Sequence, residues 1–253
     1  MRAVARRLVS LLPVRSELLY RVARKIVNLH DGDNDGDMRT NGELRFMREH
    51  LRDARVVFDG GANVGDWTAA ALAINSHASY HCFEPSRFAF ERLAARSFPA
   101  NVTRNDFGLS DSAAEAPLYV FSAGCGANSL YERVGTADTQ RGTELVRLET
   151  LDAYCQRHDI GDVDFLKLDL EGHEVAALRG AVRMLRERRI RVIQFEYGGT
   201  YIDAGTHLKD VYELIDSVGG YTIHKLFPDR ARRMEYRQPL ESHLYSNWAI
   251  IRT

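Results

Sequence analysis

The chain has 253 residues, a formal net charge of −1 at pH 7, 45% hydrophobic and 27% charged residues. This size and apolar content suit one α/β domain with an appendage. A near-neutral balance without a basic, aromatic-interleaved stripe argues against a nucleic-acid partner. Cys82, Cys125 and Cys155 are widely spaced and form no CxxC pair. They argue against a disulfide framework or structural zinc and for a reducing, cytoplasmic setting.

Residues 1–40 read as a basic helical extension and an acidic turn. Over residues 1–30, seven basic side chains, among them Arg21, Arg24 and Lys25, face one acid, Glu17. Apolar residues from Leu8 to Leu29 recur at helical spacing on either side of Pro13. The run Leu8 to Val14 is too short for a membrane span and too charge-interrupted for a secretory leader. Three roles are open: a cap on the domain, a dimerisation arm, or a weak peripheral anchor on an anionic membrane. The turn His30 to Asp37 resembles a calcium loop, with Asp31, Asp33 and Asp35 at positions 1, 3 and 5. Position 12 is Gly42, and Glu43 comes one residue late. That slip rotates the carboxylate away, so the expectation is a solvated acidic turn with no metal.

A short helix, Leu44 to Leu51, leads into the stretch around which the chain is organised. Val56-Val57-Phe58-Asp59 is a strand, Gly60-Gly61-Ala62-Asn63-Val64-Gly65 a tight loop, and Thr68 to Asn75 a helix. That order brings backbone N–H groups close to a small ligand. A Walker A lysine is missing, because Asp66 stands in its place, and Gly-x-Gly-x-x-Gly is absent. Acids at Asp59 and Asp66 oppose a pyrophosphate and suit an ammonium and a sulfonium, the charges of S-adenosylmethionine (SAM). Glu84 lies about 20 residues further on, where an acid meets ribose hydroxyls.

Strand and helix periods then alternate as an α/β fold requires. Tyr80 to Glu84 is strand, Phe88 to Phe98 helix, and Val102 to Asn105 strand, followed by a loop, Asp106 to Leu109. Two added strands, Leu118 to Phe121 and Leu145 to Leu148, flank the loop Ser122 to Arg141. Thr150 caps a helix to His158. Val163 to Leu170 is a central strand and Glu174 to Arg188 one amphipathic helix. Arg191 to Tyr197, His207 to Val218, Tyr221 to Leu226 and Leu244 to Ile251 complete strand, helix and a terminal hairpin.

The second chemical cluster, Asp169-Leu170-Glu171-Gly172-His173-Glu174, closes the central strand, and Glu196-Tyr197-Gly198-Gly199 closes the next. Ligands of open α/β sheets bind outside those strand ends, so both clusters face the Gly-loop crevice.

The motifs Phe58 to Gly65, Phe83-Glu84-Pro85, Asp106-x-Gly108-Leu109-Ser110-Asp111, Asn128-Ser129-Leu130, Thr150-Leu151-Asp152-x-Tyr154 and Lys167 to Glu174 resemble the FkbM family of SAM-dependent methyltransferases. The resemblance runs from about Asn41 to the C-terminus. It implies a methyltransferase domain over 41–253 with a class I, Rossmann-like α/β fold: a mostly parallel sheet with a terminal antiparallel hairpin. It also implies methyl transfer to a hydroxyl of a sugar, glycan or polyketide-like acceptor. By position, the cofactor-binding residues are Asp59, Gly61, Asn63 and Gly65 for the methionine part, Glu84 for the ribose and Asp106 for the adenine. Asp106 stands where the family commonly has asparagine, and Gly60 where it commonly has an aliphatic residue. At the position of His173 the family also uses non-basic residues.

An alcohol nucleophile must lose its proton, which calls for a base. His173 has a suitable unperturbed pKa and is the first candidate, with Asp169 or Glu171 orienting it. Glu171, Asp169 and Glu196 are the carboxylate alternatives, given a raised pKa. The rival functions are an NAD-dependent oxidoreductase and a non-catalytic SAM-binding or membrane-associated protein.

Overall fold

The computed structural model describes residues 16–121, 128–133 and 142–253; Pro13 and Cys125 lie outside them. Helix α1 spans Glu17–Asp31 and α2 Glu43–His50. The βα units after them are β1 Val56–Gly60, α3 Asp66–Ile74, β2 Ser79–Phe83, α4 Arg87–Ala95 and β3 Val102–Asn105. Next come β4 Gly108–Leu109, β5 Ala114–Val120, β6 Gly142–Glu149, α5 Leu151–Arg157 and β7 Val163–Leu168. Helices α6 Glu174–Arg179 and α7 Val182–Arg186 lead to β8 Ile190–Tyr197. The chain closes with α8 Thr200–Asp203, α9 Leu208–Val218, β9 Tyr221–Leu226, β10 Ala231–Arg233 and β11 Ser246–Arg252.

The eight-stranded sheet runs β10-β9-β11-β8-β7-β1-β2-β3. Strands β8, β7, β1, β2 and β3 pair in parallel, and β11 is antiparallel to both β8 and β9. This is the expected α/β class I architecture: a mostly parallel sheet with antiparallel C-terminal strands. The last strand enters between β8 and β9. A second sheet, β4-β6-β5, stands beside it.

Both faces of the main sheet are covered, so its central strands are apolar at successive positions. Phe58, Leu166, Ile193 and Ile250 pack into one core layer. Their chain neighbours Val57, Phe165, Val192 and Ala249 pack into the other, with Phe46 and Trp67. The alternation is the period of two of a strand. It carries forward to the strand ends, where Asp59, Lys167 and Gln194 lie in register on the second face.

Four expectations need correction. The single helix Glu174 to Arg188 is two helices: the Gly180 carbonyl accepts from the Asp152 amide at 2.9 Å, and the close pass by the Ser110 carbonyl leaves no room for a Cβ there. The Asp152 carboxylate then caps α7, accepting from the Arg183 and Met184 amides at 2.7 and 3.0 Å. Residues 108–109, read as loop, pair in parallel with β6. The acidic turn is an anchor rather than a solvated loop. Asp33 is buried against Lys225 at 2.5 Å, Asp35 accepts from the Asp37 amide and the Thr40 hydroxyl, and Asp37 pairs with Arg39.

Helix α1 buries none of its residues, which overturns the reading of it as a cap. Leu18, Ile26 and Leu29 are 72%, 61% and 60% exposed. The chain is tied down only past Gly32, where the Asn34 amide donates to the Tyr245 carbonyl at 2.8 Å. No helix among the described residues is long and apolar enough to cross a membrane.

Candidate functional site

Strand β1 ends where the chain must turn sharply, and Gly61 and Asn63 adopt left-handed φ values of 75° and 47°. The amides of Gly61 and Ala62 donate to the Phe83 carbonyl at 2.9 and 3.0 Å, which fastens the loop to the end of β2. Glu84 holds the far half of the loop. One of its carboxylate oxygens accepts from the Asn63 amide at 2.8 Å and the other from the Ser86 amide at 2.9 Å. Burial pushes the Glu84 carboxyl up to about 7, against those two hydrogen bonds.

A cavity of ≈ 650 Å³, counted with its mouth, opens above this loop. Its wall includes Gly61, Asn63, Glu84, Pro85 and Gly108 on one side and Asp169, Glu171 and His173 on the other. Leu118, Leu130 and Leu148, from the region of the small sheet, close it. The expected site residues therefore divide. Gly61, Asn63, Glu84, Asp169, Glu171 and His173 converge on one cavity.

Asp59, Gly65, Asp106 and Glu196 do not line it. Asp59 is buried behind the loop, where it accepts from the Thr68 hydroxyl at 2.6 Å. Gly65 faces the Leu93 and Phe98 side chains. Asp106 is 60% exposed in its side chain and pairs with Arg147 at 2.5 Å. Asp66, expected to face a cation in the ligand, points outward to Arg96 at 2.5 Å. Glu84 is 7% exposed, a buried residue rather than a rim one.

The turn after β7 has its own pin. Glu174 accepts from the amides of Leu170 at 2.7 Å and Gly172 at 3.1 Å. Complete burial raises its carboxyl to about 8. The pinned turn holds Glu171 at φ 51° and Gly172 at φ 101°.

A strap from residues 128–133 grips the same turn with three alternating side chains. The Ser129 hydroxyl donates to the Glu171 carbonyl at 2.8 Å, the Tyr131 hydroxyl meets His173 Nδ1 at 2.7 Å, and Arg133 pairs with the Glu171 carboxylate at 2.5 Å. On the far side, His173 Nε2 meets the Ser110 hydroxyl at 2.9 Å.

His173 thus has both ring nitrogens occupied by hydroxyls, one donating and one accepting when the ring is neutral. Burial drives its pKa down to about 4. The expected value near neutrality, with Asp169 or Glu171 as orienting partner, is corrected on both points. Glu171 moves the other way: burial and the neighbouring Asp169 raise its carboxyl to about 7, with Arg133 opposing. Glu196 is raised by burial and by Asp169.

Tyr131 and Arg133 escaped the sequence reading, which held Ser110 only as a member of a motif. Their signal was available, since Tyr131 and Arg133 continue the every-other-residue series begun by Ser129 in a motif already singled out.

The cavity's chemistry fits SAM. Asn63 Oδ1 on the wall and Ser86 Oγ beside Glu84 are buried acceptors without partners among the described residues. A carboxylate has about four acceptor sites, so Glu84 keeps capacity for ribose hydroxyls after its two backbone bonds. Acceptors facing a ligand rich in N–H and O–H donors suit the cofactor.

The methyltransferase FkbM domain model matches residues 59–223, more than half of the chain. The hexuronic acid methyltransferase AglP of Haloferax volcanii is 25% identical over 174 residues, 68% of this chain and 66% of that protein. The solved methyltransferase FkbM from Methylobacillus flagellatus is 18% identical with a TM-score of 0.48, over 78% of this chain and 43% of its own. An O-methyltransferase from Bacillus cereus is 14% identical with a TM-score of 0.44, over 99% and 97%. The chain thus spans just under two thirds of the curated relative and less than half of the first solved one. On the span of the domain match, the chain belongs to the FkbM family of SAM-dependent methyltransferases.

Proposed function

We propose that the chain transfers a methyl group from SAM to a hydroxyl of a sugar-type acceptor, with Glu171 taking the hydroxyl proton. The observation that carries the reading is the junction of the Gly-loop cavity with the Asp169–Glu171 turn. Asn63 and Glu84 lie on one wall, and a carboxyl raised to about 7 lies on the other. The name of the Haloferax volcanii relative supports a sugar-type acceptor. Family membership favours methyl transfer over nicotinamide chemistry.

The cofactor supplies an electrophilic methyl group on a sulfonium. The chain's residues do the rest. Glu84 and Asn63 offer acceptors to the cofactor's hydroxyl and amine hydrogens. Asp169, held by Lys167 Nζ at 2.9 Å, can accept from the acceptor hydroxyl and orient it. A Glu171 oxygen would take the proton of the acceptor hydroxyl as that oxygen receives the methyl group. A base matched to neutral pH contributes about 10²–10⁴ in rate. His173, hydrogen-bonded on both sides, keeps the wall rigid in this reading and leaves the proton to the carboxylate.

Calorimetry with SAM, S-adenosylhomocysteine and NAD tests the cofactor. Incubation with isotope-labelled SAM and a panel of glycosides, read by mass spectrometry, tests the transfer. The expected result is binding of the two sulfur nucleosides and label in an O-methyl group. Binding of NAD alone, or label on nitrogen or carbon, overturns the proposal.

A further inference from the structure

A second cavity opens on the other side of Asp169, which lines both. It measures ≈ 920 Å³ with its mouth, and its polar wall includes Glu43, Trp67, Lys167, Asp169, Glu196 and Tyr245. The strand period accounts for the location. Lys167 and Glu196 fall on the sheet face that carries Phe165 and Val192, the face covered by α2 and by Trp67.

Two features point to a ligand. The Trp67 indole N–H is buried and has no partner among the described residues, although the residue is 5% exposed and part of this wall. An unpaired buried donor is costly unless something accepts from it. The second feature is charge. Lys167 is a buried cation already paired with Asp169, and its other acidic neighbours are Asp59, Glu43 and Glu196. Four carboxyl groups thus surround one ammonium. Burial pushes Glu43, Asp59 and Glu196 towards their neutral acids, so Asp169 already balances the one ammonium. A ligand carboxylate entering beside Asp169 would meet a negative charge with no free cation among the described residues of this wall. A neutral ring with many hydroxyls meets the opposite situation. The carboxyl oxygens and the Tyr245 hydroxyl accept its O–H groups, Trp67 N–H donates to one oxygen, and the indole sits against Lys167 at 5.7 Å.

We propose that this second cavity holds the methyl acceptor and selects a neutral, polyhydroxylated ring of the hexose type over a uronate. The proposal rests on the methyl-transfer reading, because the acceptor hydroxyl reaches the transferred methyl across Asp169, the residue common to both cavities. The charge of this wall sets the expected acceptor apart from the hexuronic acid in the relative's name.

The test is saturation-transfer NMR on protein loaded with S-adenosylhomocysteine, whose own binding is measured first by calorimetry. The probes are methyl glucopyranoside, methyl mannopyranoside and glucuronate. The two neutral glycosides should bind, with glucuronate weaker by about tenfold or more. Trp67→Phe should weaken the neutral glycosides about three- to tenfold, the scale of one net hydrogen bond, and leave nucleoside binding unchanged. Asp169→Asn keeps shape and removes the carboxylate that balances Lys167, and should bring glucuronate to within about threefold of the neutral sugars. Equal or tighter glucuronate binding to the unaltered protein overturns the proposal. So does binding of none of the three sugars while the nucleoside binds. Failure of the nucleoside itself to bind overturns the methyl-transfer reading, and this proposal with it.

Discussion

The loops after β1 and β7 are built to one plan and put to different uses. Each is pinned by a buried glutamate that accepts two backbone amides, Glu84 for the first and Glu174 for the second. Each holds one non-glycine residue at positive φ, Asn63 in one and Glu171 in the other. The difference lies in the pins. Glu84 lines the cofactor cavity, while Glu174 does not and serves its turn alone. Two acids at strand ends that look alike in sequence thus differ in place: one lines the cavity and is the proposed ligand acceptor, the other is scaffold. What separates them is which cavity the oxygens can reach.

The largest effect that would break this parallel is at Gly61. A Cβ there would lie 1.9 Å from the carbonyl oxygen of Asp169, joining the two loops by a clash. Its side chain would therefore strike the second loop's backbone before it filled ligand space. With φ at 75°, Gly61→Ala should cost about 3 kcal/mol or more in chemical denaturation, from overpacking and left-handed strain.

Next in size is the base. Glu171→Gln should lower turnover by about 10²–10⁴ with nucleoside affinity kept, while His173→Asn should lower it by less than about tenfold. The rising limb of the wild-type pH–rate profile should lie near 7 and disappear in the glutamine variant. If His173→Asn removes the limb instead, histidine is the base.

The pins themselves come third. Glu84→Ala should weaken S-adenosylhomocysteine by about 1.5–3 kcal/mol in calorimetry, and Glu174→Ala by much less. Both should lower the melting temperature, because each frees two buried amides. An equal loss of affinity at the two sites would make them one kind of residue.

The fourth effect is pH-dependent stability. Glu84 and Glu174 have folded pKa values of about 7 and 8, above the unfolded 4.5, so folding favours their acid forms. Their contribution is full below about 4.5 and is lost as pH rises through 7 and 8. His81 and His173 are depressed to about 4, which raises stability with pH only up to about 6.5. Between about pH 6.5 and 8 the acids dominate, so the melting temperature should fall by several degrees across that window. Glu174→Gln should flatten the decline.

The smallest effect belongs to α1. Polar replacements at Leu18, Val22 or Ile26 should change stability by no more than about 0.5 kcal/mol, since each is already exposed.

Much of the fold was legible because it is periodic. Alternation in β1, β7 and β8, the Gly turn and the Thr150 cap all depend on near neighbours in sequence. The break at Gly180 was not, because the groups that meet it there, the Ser110 carbonyl and Asp152, arrive from other segments. The site was half legible for the same reason. Gly61, Asn63, Glu84, Asp169, Glu171 and His173 stem from strand ends, which sequence marks well. Asp59 and Asp66 carry the right charge at the right spacing, yet one points into the core and the other to solvent. Side-chain direction past a tight turn depends on φ, which residue type only biases. The opposite shifts of His173 and Glu171 both come from burial, and the segment that contacts them, residues 128–133, lies about forty positions away in sequence.

Strand β11 has a consequence for synthesis. It is the last strand along the chain, yet it lies between β8 and β9. While residues 246–252 are still inside the ribosome, β9 and β10 have no place in the sheet, and β8 exposes a bare hydrogen-bonding edge. Tyr245, at the start of this segment, is also missing from the second cavity at that stage. A nascent chain can close the Gly loop on Phe83 early, so the Gly-loop cavity can form before the second one. Chaperone capture should peak with the edge of β8 exposed and end when Arg252 clears the exit tunnel.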